Sequence, residues 1–301
     1  MKITAVVVTY NRLEMLKKCL PSVLSQTRPV DEIIVINNCS TDGTEGWLKE
    51  FSTGHDIVKV TTLPTNLGGA GGFEKGVEMA VEQGADYVWI MDDDTFPTPT
   101  ALVELLKPLE ADPKAGFAGS RVEWTDGSLN KMNIPIFRRE HYLSKIIDTI
   151  TEVTLCDGTS FVSLLVPRRV VLEVGLPVGE FFIWHDDVEY TGRIVRAGYK
   201  GLYVPQSIVV HATASNIGSS IINAPVSAKH RFYYQIRNQM ATKRMKTNPL
   251  FARVSAWLRL RRFKRAIAKR ADYQQEFLEE VLNGYKDGKH FNPKVKFVKV
   301  K

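Results

Sequence analysis

Three adjacent carboxylates, Asp92, Asp93 and Asp94, are the residues of this chain whose type and spacing point most directly to chemistry. They follow the apolar run 87–91, whose β-branched and aromatic residues predict a buried strand. Crowded carboxylates repel one another unless a cation is present, and hard divalent cations prefer oxygen ligands. Because ligands of open α/β sheets bind at the carboxyl ends of strands, we expect a site for Mg²⁺ or Mn²⁺ here. A solvated acidic turn is the alternative.

A second acidic pair, Asp186 and Asp187, follows Trp184 and His185 and precedes a predicted helix at 190–197. The dipole of a helix stabilises carboxylates at its N-terminus, so capping explains part of this pattern. A carboxylate whose pKa is tuned by burial can also act as a general base.

A lone histidine, His211, ends the predicted strand 201–210. Most isolated histidines have structural roles, but a histidine at the exit of a strand can also bind a metal ion. The residues alone leave both interpretations open.

Three polar segments follow other predicted strands, at 9–12, 37–44 and 66–72. Their Asn, Ser, Asp and Gly residues favour turns and helix caps, so plain turns are one explanation. The third segment has four glycines in five residues, which lets the backbone approach a ligand closely, and the helix after it offers its N-terminus to an anion. It matches neither the dinucleotide-binding fingerprint nor the Walker loop.

The elements that must position these residues alternate between strand and helix in the first half of the chain. This alternation predicts an α/β fold with a mainly parallel, Rossmann-like central sheet flanked by helices. Residues 123–151 fit neither pattern and are expected to form a lid or an insertion that faces a substrate. The predicted strands are 3–8, 33–36, 55–62, 87–91, 116–120, 160–166 and 201–210, and the predicted helices are 13–25, 44–51, 72–83, 100–110 and 190–197.

Composition indicates a globular protein, because 44% of the 301 residues are hydrophobic and 24% are charged. No apolar run approaches the roughly 18 residues that span a bilayer. The N-terminus lacks a signal-peptide layout, and the three cysteines are isolated from one another. We therefore expect reduced thiols and a cytoplasmic location.

The net charge of +7 is concentrated near the C-terminus, since residues 229–270 contain 14 Lys or Arg and no Asp or Glu. Within this segment, residues 250–267 alternate apolar and basic residues at roughly helical spacing, as in helices that bind anionic membrane surfaces. Packing of this helix on the catalytic region is the alternative, and nucleic acid is not expected because no recognition module is visible. The chain is thus predicted to comprise a catalytic domain at 1–226 and a basic helical region at 227–301.

Taken together, the motifs over the first 240 residues resemble those of the family 2 glycosyltransferases, which are inverting enzymes with the GT-A fold. The order is specific: Thr-Tyr-Asn-Arg at 9–12, Asn-x-Ser-x-Asp-Gly-Thr at 38–44, a glycine-rich segment, Asp-x-Asp at 92–94, the acidic pair, and Tyr-Tyr-x-x-Arg-Asn at 233–238. Within the family, 66–73, 91–94 and 184–190 are most similar to bacterial galactofuranosyltransferases and their rhamnosyltransferase relatives.

The resemblance implies a role for each motif. Asp187 would be the general base, supported by Asp186, and Mg²⁺ or Mn²⁺ would bind Asp92, Asp94 and His211. One departure is Asn37, where the family usually has an aspartate that recognises the base; an amide can still accept through its oxygen. The residues implied in donor binding are Thr9, Tyr10, Asn11, Arg12, Asn37, Asn66, Gly68, Gly69, Gly71, Asp93 and Trp184.

The resemblance also implies a nucleotide-sugar donor, UDP-galactofuranose or dTDP-rhamnose, and a bacterial glycan acceptor that a lipid could carry. A peripheral position at the inner face of the plasma membrane would suit such an enzyme, and a homo-oligomer is compatible with it. Two rivals are a sugar-nucleotide nucleotidyltransferase and a non-catalytic protein that binds membrane or nucleic acid. The first would need a glycine-rich loop after the first strand, where the chain has residues 9–12 without glycine.

Overall fold

A computed structural model of the protein describes residues 1–137, 142–218 and 220–299. Its first part alternates strand and helix, as predicted. The elements are β1 (Ile3–Thr9), α1 (Leu13–Leu24), β2 (Glu32–Asn37), α2 (Thr44–Thr53), β3 (Val58–Thr62), α3 (Gly68–Glu82) and β4 (Tyr87–Asp92).

The second part has shorter strands and longer irregular segments. After β9 the chain is helical. The elements are β5 (Thr95–Pro97), α4 (Ala101–Ala111), β6 (Ala115–Glu123), β7 (Thr154–Cys156), β8 (Leu164–Pro167), α5 (Arg168–Val174), α6 (Asp186–Arg196), β9 (Lys200–His211), α7 (Lys229–Lys246), α8 (Pro249–Ile267) and α9 (Gln274–Gly288).

The strands form one sheet in the order β3-β2-β1-β4-β8-β6-β9-β5, with β7 also paired to β9. Strands β1 to β4 pair in parallel, and β1 lies between β2 and β4 with Thr9 opposite Asn37 and Val8 opposite Asp92. The polar residues that end these strands therefore meet at one edge of the sheet.

The other half of the sheet is mixed rather than parallel. Strand β8 runs antiparallel to β4 and β6, while β6 and β9 pair in parallel. Strand β5 follows β4 after only two residues, which is too few for the crossover connection that a parallel pairing of β5 with β4 would require. Strand β5 instead pairs antiparallel with β9. The α/β fold with helices on both faces is as predicted.

The sheet has an apolar core on each face, and the side chains of β1 contribute to both, because successive side chains of a strand point to opposite faces. Val6 belongs to the apolar cluster that includes Val77 of α3, whereas Val7 belongs to the cluster that includes Leu16 of α1 and Leu105 of α4. All five side chains are fully buried.

Several predicted boundaries were wrong. The strand expected at 55–62 begins at Val58, the strand expected at 160–166 begins at Leu164, and the helix expected at 190 begins at Asp186. The helix expected at 72 begins at Gly68, so the glycine-rich segment forms its first turn instead of a loop.

The glycines of α3 serve packing. A β-carbon on Gly72 would lie 2.5 Å from Cγ1 of Val8 in β1, and a β-carbon on Gly68 would collide with the carbonyl group of Phe182. Gly68 also has a positive φ of 73°, which glycine adopts without strain.

The segment predicted as a lid or insertion contains two short 3₁₀ turns, Leu143–Lys145 and Ile147–Thr149, and residues 138–141 lie outside the described part. Three of its residues, Met132, Asn133 and Ile136, line the cleft described below.

The three C-terminal helices share a separate apolar cluster that includes Phe232 of α7, Ala256 of α8 and Phe277 of α9. A further cluster joins α7 to α3 through Ala241 and Ala70. Across the described residues, no helix combines the length and the apolarity needed to cross a membrane.

Candidate active site

A cleft of about 740 Å³ lies at the carboxyl ends of the parallel strands. It is lined by the ends of β1, β4 and β9, by the start of α3, by the loop before α6, and by α7. Of the residues predicted for the site, thirteen line this cleft: Thr9, Tyr10, Arg12, Asn66, Gly68, Gly69, Asp92, Asp93, Asp94, Trp184, Asp186, Asp187 and His211.

Three predicted donor-binding residues are not among those lining the cleft. Asn37 is fully buried, and its amide joins Thr62 Oγ1 to the backbone N–H of Ser40. Asn11 lies on the surface with a positive φ of 52°. Gly71 is buried in α3. Asn37 thus shapes the polar segment after β2, whose neighbour Asn38 does reach the cleft.

Asp92, Asp94 and His211 come together although the first two are more than a hundred residues from the third. One potential ligand atom from each lies within 4.8 Å of the other two. His211 Nε2 is 3.1 Å from Asp94 Oδ1, and His211 Nδ1 is 2.8 Å from Oδ1 of Asn133. Because the amide oxygen of Asn133 can only accept, Nδ1 carries a proton, and Nε2, which faces Asp94, is the nitrogen that could bind a metal ion once it is deprotonated.

The charges of the acidic cluster also fit a cation. Burial and the neighbouring Asp94 raise the pKa of Asp92 to about 6 and that of Asp93 to about 7. Burial acts in the same direction on Asp94, but hydrogen bonding and the charge of His211, followed by Arg12, outweigh it and lower the pKa of Asp94 to about 2. Burial and mutual repulsion thus disfavour the ionised forms of Asp92 and Asp93, and a divalent ion beside them would offset both effects. Two carboxylates and one imidazole are a ligand set that a divalent metal ion can use.

Arg12 places a guanidinium group against the same carboxylates. It forms an ion pair with Asp94, and its Nη1 lies 3.8 Å from Asp93 Oδ1. The side chain keeps 47% of its exposure, so it can also reach a bound ligand. A guanidinium group binds phosphate oxygens in pairs, and this position suits a diphosphate at the edge of the cleft.

Across the cleft, Asp186 and Asp187 form the first turn of α6. Burial raises the pKa of Asp187 to about 6, against the hydrogen bond that it accepts from the N–H of Val188. Burial and the charge of Asp187 raise the pKa of Asp186 well above its usual range. At neutral pH Asp187 is therefore mostly ionised, and Asp186 beside it holds its proton more strongly than an ordinary carboxyl group does.

The loop before α6 is unusual in its backbone. Phe182, Trp184 and His185 all adopt positive φ, between 65° and 72°, which is costly for residues with a β-carbon. Trp184 packs edge-on against Phe232 of α7, with ring centroids 5.3 Å apart. Burial lowers the pKa of His185 to about 3, so this ring stays neutral.

Sequence reasoning missed the contribution of α7. His230, Arg231, Gln235 and Gln239 all line the cleft. The sequence placed this segment in the basic helical region, and the family motif noted at 233–238 received no role in the site. Arg231 Nε and Gln235 Oε1 are buried, and neither has a hydrogen-bond partner among the described residues. Buried polar atoms are normally satisfied, so these two point to a ligand. The helical spacing of Arg231 and Gln235, four residues apart, was the available signal.

A mixed α/β sheet that gathers acidic residues and arginines around one cleft at the ends of its parallel strands is the architecture of a GT-A glycosyltransferase. Residues 4–164, just over half of the chain, match the family described as "Glycosyl transferase family 2", and the chain belongs to that family. The resemblance seen in the motifs is thereby confirmed.

Among similar proteins are two named "Galactofuranosyltransferase GlfT1". The one from Mycolicibacterium smegmatis is 30% identical over 205 residues, which are 65% of this chain and 66% of that protein. The one from Mycobacterium tuberculosis is 33% identical over 202 residues, 64% of each chain. The matched segment thus spans slightly less than two thirds of either relative.

Two solved structures share the fold. One, titled "Crystal structure of GalNAc-T7 with UDP, GalNAc and Mn2+", aligns with a TM-score of 0.66 at 15% identity, over 99% of this chain and 55% of that chain. The other, a mannosyltransferase from Pyrobaculum calidifontis in complex with GDP-Man and Mn²⁺, aligns with a TM-score of 0.57 at 18% identity, over 94% and 73%.

Proposed function

We propose that the protein is an inverting transferase that moves galactofuranose from UDP-galactofuranose to a hydroxyl group of a bacterial cell-surface glycan. The observation that carries this proposal is the pairing, across one cleft, of the Asp92–Asp94–His211 cluster with the ionised Asp187. The two relatives named as galactofuranosyltransferases support the choice of sugar.

Asp92, Asp94 and His211 would hold a divalent ion, Mn²⁺ or Mg²⁺, which in such a site neutralises the charge that develops on a leaving diphosphate. Arg12 and Arg231 extend this stabilisation as fixed cations on the wall of the cleft. Thr9 and Asn66 bind the nucleoside end of the donor, while Asn37 acts indirectly by holding the segment after β2.

Asp187 takes the proton of the acceptor hydroxyl as its oxygen attacks the anomeric carbon from the face opposite the diphosphate. The bond from this carbon to the phosphate oxygen breaks as the new bond forms, so a single displacement inverts the configuration. Asp186, whose pKa burial and the charge of Asp187 raise well above its usual range, holds its proton more strongly and so leaves the ionised form to its neighbour. No covalent intermediate, and hence no dedicated nucleophile, is required.

The acceptor approaches past His230, which lines both the cleft and a second hollow of about 420 Å³ between α7 and α9. Tyr233, Asn283 and Asp287 line this hollow. Aromatic faces, amides and carboxylates are the groups that contact the apolar and hydroxylated sides of sugars, so the hollow suits further residues of a glycan chain.

The exposed face of α8 suits a lipid surface, because apolar side chains line its first half and arginines continue the same face. The opposite face, which includes Ala252, Ala256 and Ile267, is buried. This arrangement supports a peripheral position at the cytoplasmic leaflet, where the enzyme would meet a lipid-linked acceptor. The exposed side chains are Leu250, Phe251, Val254, Trp257 and Leu258, followed by Arg261, Arg262 and Arg265.

Calorimetry tests the donor assignment. With Mn²⁺ present, the protein is titrated with UDP-galactofuranose, UDP-galactopyranose, UDP-glucose and dTDP-rhamnose. We expect metal-dependent binding of UDP-galactofuranose that is lost in Asp94→Ala. Preference for dTDP-rhamnose would replace the proposed sugar with rhamnose, and failure of all four donors to bind would refute a donor site of this kind.

A further inference from the structure

The loop that leads into the acidic pair is held from outside by two neighbouring residues of α7. Asn238 is fully buried, and its Nδ2 lies 2.9 Å from the carbonyl oxygen of Phe181, 3.1 Å from that of Ile183 and 2.8 Å from that of Trp184. One amide group therefore contacts three carbonyl oxygens of a single loop, and because it has only two N–H bonds, at least one of them is shared between two of these oxygens.

Arg237 extends this contact. Its Nη2 donates to the carbonyl oxygens of Glu180, at 2.8 Å, and Phe181, at 3.1 Å, and its Nε donates to Oδ1 of Asn238 at 3.0 Å. The guanidinium group thus orients the amide of Asn238 and leaves Nδ2 directed at the loop.

The remaining carbonyl group of the loop, that of Phe182, accepts from the backbone N–H of Ala70 in α3 at 3.1 Å. All five successive carbonyl groups from residue 180 to residue 184 are consequently bound, four of them by Arg237 and Asn238. The ring of Phe182 also stacks on Tyr234 of α7, with centroids 4.8 Å apart.

These contacts oppose the strain of the loop. Phe182, Trp184 and His185 have positive φ, and such a backbone persists only where its surroundings over-determine it. The loop ends at His185, the residue before α6, so its conformation sets the direction in which α6 begins and hence where Asp187 lies.

We infer that Arg237 and Asn238 are positioning residues, which fix the strained loop so that Asp187 faces the reacting hydroxyl group. This inference rests on the proposed role of Asp187 as the base. Neither residue lines the donor cleft, so their loss removes no contact of their own with the donor. The ring of Trp184, which the loop presents to the cleft, also packs on Phe232, so the larger effect is expected on the transfer step.

The test compares Asn238→Ala and Arg237→Lys with Arg244→Lys. Arg244 is a matched control, because it lies on the same helix and also donates to backbone carbonyls, those of Gly288, Lys289 and Phe291, but these are in the C-terminal segment. Donor affinity and the fraction of binding-competent protein are measured by calorimetry with UDP-galactofuranose and Mn²⁺. The transfer rate is then divided by that fraction.

For both loop variants we expect a donor Kd within about threefold of the wild-type value. The kcat per binding site should be about 10- to 100-fold lower, because a small misplacement of a reacting group lowers a rate by about that factor. The acid limb of the kcat–pH profile should also shift. Arg244→Lys is expected to keep the wild-type kcat and pH profile. A purely structural role would lower the binding-competent fraction alone, and that result would overturn the inference, as would loss of donor binding by folded loop variants.

Hydrogen exchange gives a readout that does not depend on activity. The backbone amides of residues 181–187 should exchange faster in Arg237→Lys than in the wild type, and at the wild-type rate in Arg244→Lys. Arg237→Lys is used for this comparison because it removes fewer contacts than Asn238→Ala. Unchanged exchange in this segment would overturn the inference. If the wild-type protein transferred no sugar while the loop variants still exchanged faster, the proposed function would fail and the anchoring of the loop would stand.

Discussion

His211 and Asp94 lie 3.1 Å apart, Nε2 to Oδ1, and each alters the ionisation of the other. Burial lowers the pKa of His211, but hydrogen bonding and charge from Asp94 outweigh it, and the net pKa is raised. Asn133 fixes the far side of the ring through Nδ1. The end of β9 is thereby tied to the end of β4 through one imidazole, which orients a nitrogen ligand among carboxylates.

Asn133→Ala should weaken Mn²⁺ binding about 10- to 100-fold, because an outer partner that orients a metal-binding histidine typically contributes that much. Titration of Mn²⁺ by electron paramagnetic resonance measures it. Asn223→Ala, in which an exposed asparagine outside the cleft is changed, should bind as the wild type does. Equal affinity in Asn133→Ala would mean that His211 is not a ligand.

Asp187→Asn should reduce the transfer rate about 100- to 10,000-fold, which is the usual contribution of a general base. Asp186→Asn should cost much less, because the pKa of Asp186 lies well above its usual range and an amide resembles a protonated carboxyl group in shape. Single-turnover transfer with donor and Mn²⁺ in excess compares the two. A larger loss in Asp186→Asn would reverse the assignment of their roles.

The transfer rate of the wild-type protein should fall as the pH drops through about 6, because the pKa of Asp187 is about 6 and only its ionised form accepts a proton. Well below that value, kcat should decrease about tenfold per pH unit. The profile is measured with saturating donor and Mn²⁺, and Asp187→Asn serves as the control whose residual rate lacks this limb. A wild-type rate that stays constant down to pH 5 would argue against Asp187.

Gly72→Ala should lower the free energy of unfolding by about 1–3 kcal/mol, because the added β-carbon would lie 2.5 Å from Cγ1 of Val8 in a packed core. Gly46→Ala in α2 is a matched control, since nothing lies within 4 Å of its β-carbon, and it should raise stability by up to about 1 kcal/mol. Urea denaturation measures both. Equal effects of the two substitutions would show that α3 shifts to accommodate the methyl group.

Replacing Trp257 and Leu258 by Ser should abolish most binding to phosphatidylglycerol vesicles, because it removes two large side chains that are each 47% exposed on α8. The control is Leu155→Ser, which changes a 61% exposed leucine on β7. Co-sedimentation with vesicles measures the binding, and a comparison of low with high salt separates the apolar from the electrostatic contribution, because salt screens only the latter. Undiminished binding by the double variant, or binding to nucleic acid alone, would refute the proposed lipid surface.

The strands of the first half were predictable because each combines an apolar run with a polar exit, and the acidic residues were found because they stand at such exits. Arg231 was missed because a basic segment has the same composition whether its side chains face solvent or a cleft. Asn37 was placed in the donor site by analogy, whereas the structure engages its amide with Thr62 and Ser40. These outcomes depend on contacts between residues distant in sequence, which local patterns do not encode.

The division of the chain into two domains at residue 226 remains a prediction, and the contacts of α7 decide whether a chimera could be joined there. Because α7 supplies Arg231 and Gln235 to the cleft and anchors the loop before α6, a chimera with a relative's C-terminal region would exchange part of the active site as well as the surface of α8. A junction placed after Lys246, at the end of α7, would keep the cleft intact and exchange only the outer helices.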